Sequence, residues 1–347
     1  MKNNSNMKPI KVLATNSKNN CSYWKENVCL YEEYLKDLSP RWRTKKADSI
    51  LFNIKWAIKL FRKSREYDVI VTNAEKCFLL FSIFQLVFRR NPKHHILLFA
   101  LWNISDKGFR KYIQLFKYKI ILKAISKVIV FSYKQQALHA NAFNESQNKF
   151  PVVYYHLTLP FYPSELCTGD YLFSGGDTGR DYKTLIEAVR GLSCKVVIAA
   201  LQRYHFDGID IPGNVIITTV NSEEFIRLLA GCKAMILPLF GRKLQAGGQQ
   251  TFLNAMALGK TVIVADDNGA DEYINNGVDG IIIQPENVSE MRVAISSVMN
   301  NFEFCKTIGI NAKIKAQMYP VDRFSRDVYS ISRDLILDSD NKQDFCN

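Results

Sequence analysis

Gly247-Gly248-Gln249-Gln250-Thr251-Phe252-Leu253-Asn254-Ala255-Met256-Ala257-Leu258-Gly259-Lys260, followed at once by Thr261-Val262-Ile263-Val264-Ala265, reads as a glycine-rich loop, a short helix, a glycine stop and a buried strand. The paired glycines let the backbone approach a ligand closely. Gln249, Gln250 and Thr251 put polar side chains where the first helical N–H groups lack an intrahelical partner. An anion is favoured at such a terminus. The stretch therefore points to a phosphate-bearing ligand.

A second stretch of the same form lies upstream. Tyr171-Leu172-Phe173-Ser174-Gly175-Gly176 is a short apolar strand ending in two glycines. Asp177-Thr178-Gly179-Arg180-Asp181-Tyr182-Lys183 is a polar loop, and a helix starts at Thr184. Two strand–glycine–helix units in one half of a chain imply a doubly wound sheet with its ligand at the carboxyl ends of the strands. Arg180 and Lys183 add positive charge beside those N–H groups. Two ordinary βα turns with solvated charges would give the same pattern.

With these residues in view, the chain resembles the C-terminal half of GT-B glycosyltransferases, in particular the broad group 1 or family 4-like set. Gly175, Gly176, Arg180 and Leu185-Ile186-Glu187-Ala188 match a glycine-ended strand, a basic residue and an "LIEA" helix. Asn254 to Val264 match "EAMALGKPVIV", followed by Gly269, Glu272-Tyr273, Gly277 and Gly280-Ile281-Ile282. The match covers roughly residues 170–285. One departure stands out: the family's two glutamates, eight positions apart, fall here on Ala246 and Asn254. The resemblance implies a ribose-hydroxyl acceptor at the second position, a role the amide oxygen of Asn254 can keep. Ala246 cannot replace the first, which the family associates with the donor sugar.

The resemblance implies an α/β fold class with two Rossmann-like parallel-sheet domains facing a cleft. The expected divisions are 1–160 for the acceptor, 161–322 for a nucleotide-sugar donor, and 323–347 as a helix returning to the first domain, then a tail. Strands are expected at 10–14, 68–72, 95–99, 127–131 and 151–155, and then at 171–174, 195–200, 215–219, 234–239, 261–265 and 280–283. The stretch 150–170, with Pro151, Pro160, Pro163 and Gly169, reads as a linker.

The chain of 347 residues, 47% hydrophobic, is long enough for two cores. Its eight cysteines are scattered without a C-x-x-C pair, which argues against a metal site or disulfide framework and fits reduced thiols. The amino-terminal residues lack an apolar signal core. The longest apolar run, 77–88, is too short to span a bilayer and reads as a buried helix. A cytoplasmic protein held peripherally at the inner face of the membrane is the expectation.

Charge is uneven. Residues 1–160 hold 28 basic and 10 acidic side chains, a net of +18, and the remainder hold 18 and 23, a net of −5. Such asymmetry points to an anionic partner for the first half. Two segments concentrate it. Residues 50–65 set Lys55, Lys59, Arg62, Lys63 and Arg65 among Phe52, Trp56, Leu60 and Phe61. Residues 107–127 set Lys117, Lys119 and Lys123 among Phe109, Tyr112, Ile113, Phe116, Ile120 and Ala124 at helical spacing. Basic amphipathic helices with aromatic residues suit an anionic membrane surface. The alternative is a solvated basic face whose apolar stripe packs on the N-terminal sheet. No nucleic-acid module is recognisable, so no nucleic-acid partner is expected.

A nucleotide-diphosphate sugar would set its phosphates at Gly247, Gly248, Gln249, Gln250 and Thr251, near Gly175 and Gly176. The family's nucleobase loop corresponds to Val220 and Asn221, with Ser222 reading as a helix N-cap. Loss of the sugar leaves negative charge on the departing nucleoside diphosphate. Fixed N–H dipoles with Arg180, Lys183, Arg242 or Lys243 would stabilise it without a metal or other cofactor. An inverting transfer needs a general base on the acceptor side. Asp106, which also fits a helix N-cap, and Glu75 are the candidates. The partners expected are a nucleotide-sugar donor and a glycan or lipid-linked acceptor in surface polysaccharide synthesis. A catalytically inert GT-B subunit and a nucleotide-sugar epimerase are the other readings.

Overall fold

The computed structural model describes residues 10–15, 21–38, 50–89, 92–99, 108–163, 169–241, 244, 247–265 and 269–344. Two compact units result: residues up to Val153 together with those from Val321 onward, and Tyr154–Pro320. The chain thus passes between units at 153/154 and at 320/321.

The first unit runs β1 (Val12–Ala14), α1 (Ser22–Asn27), β2 (Cys29–Leu30), α2 (Glu32–Leu38), α3 (Ile50–Lys63), β3 (Val69–Asn73), α4 (Lys76–Phe88), β4 (His94–Leu98), α5 (Phe109–Ala124), β5 (Lys127–Val128) and α6 (Tyr133–Phe143). Its sheet has the order β2-β1-β3-β4-β5, and every pairing is parallel. β2 was not expected, because two residues flanked by helices leave no alternation to read. The strand expected at 151–155 forms only an isolated bridge between Val152 and Val130. Pro151 has no N–H to extend the ladder there. His95 in β4 is fully buried between Thr72 Oγ1 and Ser82 Oγ, each at 2.8 Å, and burial pushes its pKa down to about 3. It is a neutral core group joining β3, β4 and α4.

The two basic helices part company. In α3, Phe52, Trp56 and Leu60 recur every four residues and pack into the core, with Tyr31 and Tyr34 edge-on to Trp56. Lys55 and Lys59 lie over the outer part of the Trp56 ring. That stripe is structural. In α5 the buried residues are Ile121, Leu122 and Ala124, while Phe109 (79%), Tyr112, Ile113, Phe116 (68%) and Ile120 are exposed. Their spacing puts them on one face. Among the described residues no helix is long and apolar enough to cross a membrane.

The second unit runs β6 (Tyr171–Gly175), α7 (Tyr182–Val189), β7 (Lys195–Ala199), β8 (Val215–Thr218), α8 (Ser222–Gly231), β9 (Ala234–Leu237), α9 (Gln249–Ala257), β10 (Thr261–Ala265), β11 (Ile281–Ile283), α10 (Val288–Asn300) and α11 (Phe302–Ala316). The last helix, α12 (Val321–Asp344), belongs to the first unit, where it packs on α1 with Tyr23 edge-on to Tyr329. The second sheet, β11-β10-β9-β6-β7-β8, is wholly parallel. All five residues of β10 are buried, as expected for a parallel strand covered on both faces. α9 stops at Gly259 (φ +71°), where Gly259 N–H and Lys260 N–H donate to Met256 and Ala255 carbonyls.

Candidate functional site

In the second sheet, successive crossovers from β6 lead one way, through β7 to β8. From β9, which returns beside β6, they lead the other way, through β10 to β11. The carboxyl ends of β6 and β9 form the switch point, where α/β sheets open a crevice for ligand. Both glycine stretches sit there. Gly248 caps α9 at φ +82°, and a Cβ on it would lie 2.3 Å from Leu237 Cδ2, a fully buried side chain. Only glycine fits this corner. Substitution would disturb β9 packing as well as the loop, so Gly248→Val cannot separate binding from folding. The N–H groups of Gln249 and Gln250 begin the helix without intrahelical acceptors.

Loop and helix are pinned together. Asp181 N–H donates to Pro238 O (2.8 Å) and Phe240 N–H to Gly179 O (3.2 Å), which ties the loop after β6 to the segment after β9. Arg180, only 6% exposed, sits beneath. Its Nε donates to Gly175 O (2.9 Å), Nη1 to Thr178 O (2.8 Å) and Nη2 to Thr251 Oγ1 (3.2 Å). The sequence reading made Arg180 a phosphate ligand. Its hydrogen bonds brace the glycine loop to the N-terminus of α9. Because Thr251 Oγ1 accepts from Arg180, its own hydroxyl proton can be donated elsewhere.

A cavity of about 450 Å³ opens at this edge, lined by Gly176, Ala199 to Leu201, Val220 to Ser222, Phe225, Gln250, Thr251 and Asn254 among others. Gly176, Val220, Asn221, Gln250, Thr251 and Asn254 are thus brought together. Lys183 is exposed on α7 and Gln249 is 5% exposed; neither lines the cavity. Gly175, also off the lining, ends β6 with Phe225 against its Cα. Gly247 precedes the cap. The N-cap of α8 is Asn221, whose Oδ1 accepts from Glu224 N (2.9 Å), rather than Ser222. Asn254 is half committed: Oδ1 accepts from Thr158 N and Nδ2 donates to Thr158 Oγ1, both at 3.0 Å. A glutamate could not make that second donation.

The first sheet has its own switch point, between β1 and β3. Glu75 follows β3 there as the N-cap residue of α4 without bonding the helix N–H groups. Its carboxylate accepts from the Tyr34 hydroxyl and from the Asn73 side chain. Burial raises its pKa above the usual carboxylate range, and the two hydrogen bonds oppose that. At the ends of β1 and β3, Thr15 Oγ1 and Asn73 Oδ1 are buried with no hydrogen-bond partner among the described residues. A carboxylate held half-buried beside unsatisfied polar atoms suits a group that receives a proton from a bound hydroxyl. Asp106, Arg242, Lys243 and Ala246 lie outside the described residues.

Sequence reasoning missed the Thr158 and Tyr155 contributions, for which no local signal exists. Tyr155 OH donates to Gln250 Oε1 (3.5 Å), and the ring of Tyr154 meets Tyr273 and Tyr319 edge-on. It also passed over Asp177, which was visible beside Gly176.

Comparison with known proteins places the fold and the C-terminal unit. Residues 182–315 match the family Glycosyl transferases group 1. A stretch of 97 residues is 27% identical to the N,N'-diacetylbacillosaminyl-diphospho-undecaprenol alpha-1,3-N-acetylgalactosaminyltransferase of Campylobacter jejuni, covering 28% of this chain and 25% of that relative. The chain therefore matches about a quarter of that relative's length. An uncharacterized glycosyltransferase of Methanocaldococcus jannaschii is 21% identical over 300 residues, 76% of this chain and 74% of the relative. The crystal structure of Anabaena HepE in complex with UDP superimposes with a TM-score of 0.66 at 17% identity, covering 93% of this chain and 99% of that one.

Proposed function

We propose that this chain, of GT-B fold and matched over residues 182–315 by the group 1 glycosyltransferase family, moves a sugar from a nucleotide-diphosphate donor to a lipid-linked glycan in surface polysaccharide synthesis. The observation that carries the donor half is the cavity at the β6/β9 switch point, lined by Gly176 of the first glycine stretch and by Gln250, Thr251 and Asn254 of α9, whose N-cap Gly248 lies just off the lining. Gly247, Gly248, Gln250 and Thr251 would hold the diphosphate by N–H and hydroxyl donors. Charge developing on the leaving diphosphate meets dipoles already oriented toward it, so the transfer runs without a metal. Val220, Asn221 and the ends of β7 and β8 would take the nucleoside. Glu75 would receive the acceptor proton. The Campylobacter jejuni relative, named for a diphospho-undecaprenol acceptor, supports the lipid-linked reading.

A thermal-shift screen tests the donor half. One or more nucleoside diphosphates should raise the melting temperature, and excess EDTA should leave the shift unchanged. A shift that needs Mg²⁺ or Mn²⁺ would refute metal independence. A shift without transfer to any lipid-linked glycan would favour the inert-subunit reading, which Asn254 at the family's glutamate position supports.

The acceptor's membrane would be met by α5. Its exposed stripe is bordered by Lys117 beside Ile113 and Ile120, and by Lys119 and Lys123 beside Phe116 and Ile120, all exposed. Aromatic and aliphatic side chains enter the interface while the lysines meet anionic headgroups. Each basic side chain near the surface contributes about 1 kcal/mol. Replacing the three lysines by Gln should therefore weaken binding to acidic vesicles by about 3 kcal/mol. Raised salt should weaken it too. Equal sedimentation of both proteins with acidic vesicles would leave α5 a solvated face.

A further inference from the structure

Among the described residues lining the donor cavity, Asp177 is the one ionisable side chain. Its position is constructed. Oδ1 accepts from the N–H groups of Leu201 (3.0 Å) and Gln202 (2.9 Å), just past the end of β7. His205 Nε2 stands 3.6 Å from the same oxygen. The Asp177 side chain is 19% exposed, and Oδ2 makes no hydrogen bond to the described residues. Two backbone donors thus fix which oxygen faces the protein. The other oxygen is left as an acceptor on a residue that lines the cavity together with Ala200, Leu201 and Val220.

We propose that Asp177 is the specificity-determining residue for the nucleoside of the donor. Through Oδ2 it accepts a hydrogen bond from the nucleoside, either from an N–H on the base edge or from a ribose hydroxyl. This rests on the donor reading of the same cavity and deepens it. The physical basis is the cost of mismatch. A nucleoside that presents a donor satisfies a partly desolvated carboxylate, whereas one that presents an acceptor leaves it unpaired and repelled. Selection by an unpaired polar group is stronger than selection by shape. The two carboxylates that the family's pattern carries at 246 and 254 are absent from this chain. Among the described lining residues the negative oxygen comes from Asp177 instead.

Asp177→Asn is the discriminating variant. Its carbonyl oxygen must face the Leu201 and Gln202 N–H groups, because an NH₂ there would oppose two donors. The NH₂ therefore turns to the cavity, and an acceptor becomes a donor with the loop tie intact. Calorimetric titration of wild type and Asp177→Asn should be run with UDP, GDP, ADP, CDP and inorganic pyrophosphate. The nucleoside diphosphate preferred by the wild type should lose about 10- to 100-fold in affinity in the variant. Pyrophosphate, which reaches only the diphosphate end, should bind both proteins equally. A parallel arm needs no variant. The 2′-deoxy, 3′-deoxy or base N-methylated form of the preferred ligand should lose a similar factor against the wild type, and the form that does so identifies ribose or base as the source. Unchanged nucleoside selectivity in Asp177→Asn, or no loss with any of the three analogues, overturns the proposal while leaving the donor reading standing. Failure of the wild type to bind any nucleoside diphosphate overturns both.

Discussion

Glu75→Gln should lower kcat by about 10²- to 10⁴-fold, the range for loss of a general base, with nucleoside diphosphate binding unchanged. The glutamine keeps the shape and can still accept from Tyr34, but it cannot take a proton from an acceptor hydroxyl. The donor residues belong to the other unit, so a selective fall in kcat is the distinguishing result. The pH profile supplies an independent reading. Burial raises the Glu75 pKa, and the hydrogen bonds from Tyr34 and Asn73 lower it. A base works when deprotonated, so activity should fall as pH drops through this raised pKa, on a limb higher than an ordinary carboxylate gives. Tyr34→Phe removes a bond that favours the charged form. The limb should then move further up in pH. Full activity in Glu75→Gln would dismiss Glu75 as the base.

Arg180→Ala should both destabilise the second unit and abolish nucleoside diphosphate binding. The buried guanidinium satisfies Gly175 O, Thr178 O and Thr251 Oγ1. Each buried acceptor left unpaired costs about 1–3 kcal/mol. A total loss on the order of 3 kcal/mol is expected in denaturant unfolding, since solvent entering the gap recovers part of it. Arg180→Lys should not rescue, because one ammonium cannot span three acceptors in the fork geometry. Thr251→Val should weaken nucleotide binding with little change in stability, since it removes the hydroxyl and leaves the brace otherwise in place. Normal stability in Arg180→Ala with lost binding would make Arg180 a direct phosphate ligand.

Much of the candidate site in the second unit was legible along the chain because its signals are local. The Gly247–Ala265 stretch carries glycine, polar cap, apolar helix, glycine stop and a fully apolar strand in consecutive residues, and each step has its own short-range cause. The surroundings of Glu75 in the first unit were less legible. Glu75 was visible as a carboxylate after an apolar strand, but its partner Tyr34 lies 41 positions away. Chain order says nothing about that contact. The two basic helices show the same limit: α3 and α5 share a pattern of lysines and aromatics, yet the core takes the stripe of one and leaves that of the other exposed.

By itself the sequence determined two parallel-sheet units, a glycine-rich βα loop at residue 247 and a basic first half, since periodicity, glycine position and charge act over one or two turns of chain. The tertiary structure decided which polar groups were left to meet a ligand. Arg180, which its place in the βα loop marks as a charge beside the phosphate site, is buried because three backbone and hydroxyl oxygens converge on its guanidinium. Asn254 was tied to Thr158, 96 residues away. Asp177, one polar residue in a loop, became a cavity acceptor because the N–H groups after β7 claimed only one of its oxygens. Hydrogen-bond satisfaction is a property of the packed chain, and only packing says which donors and acceptors remain.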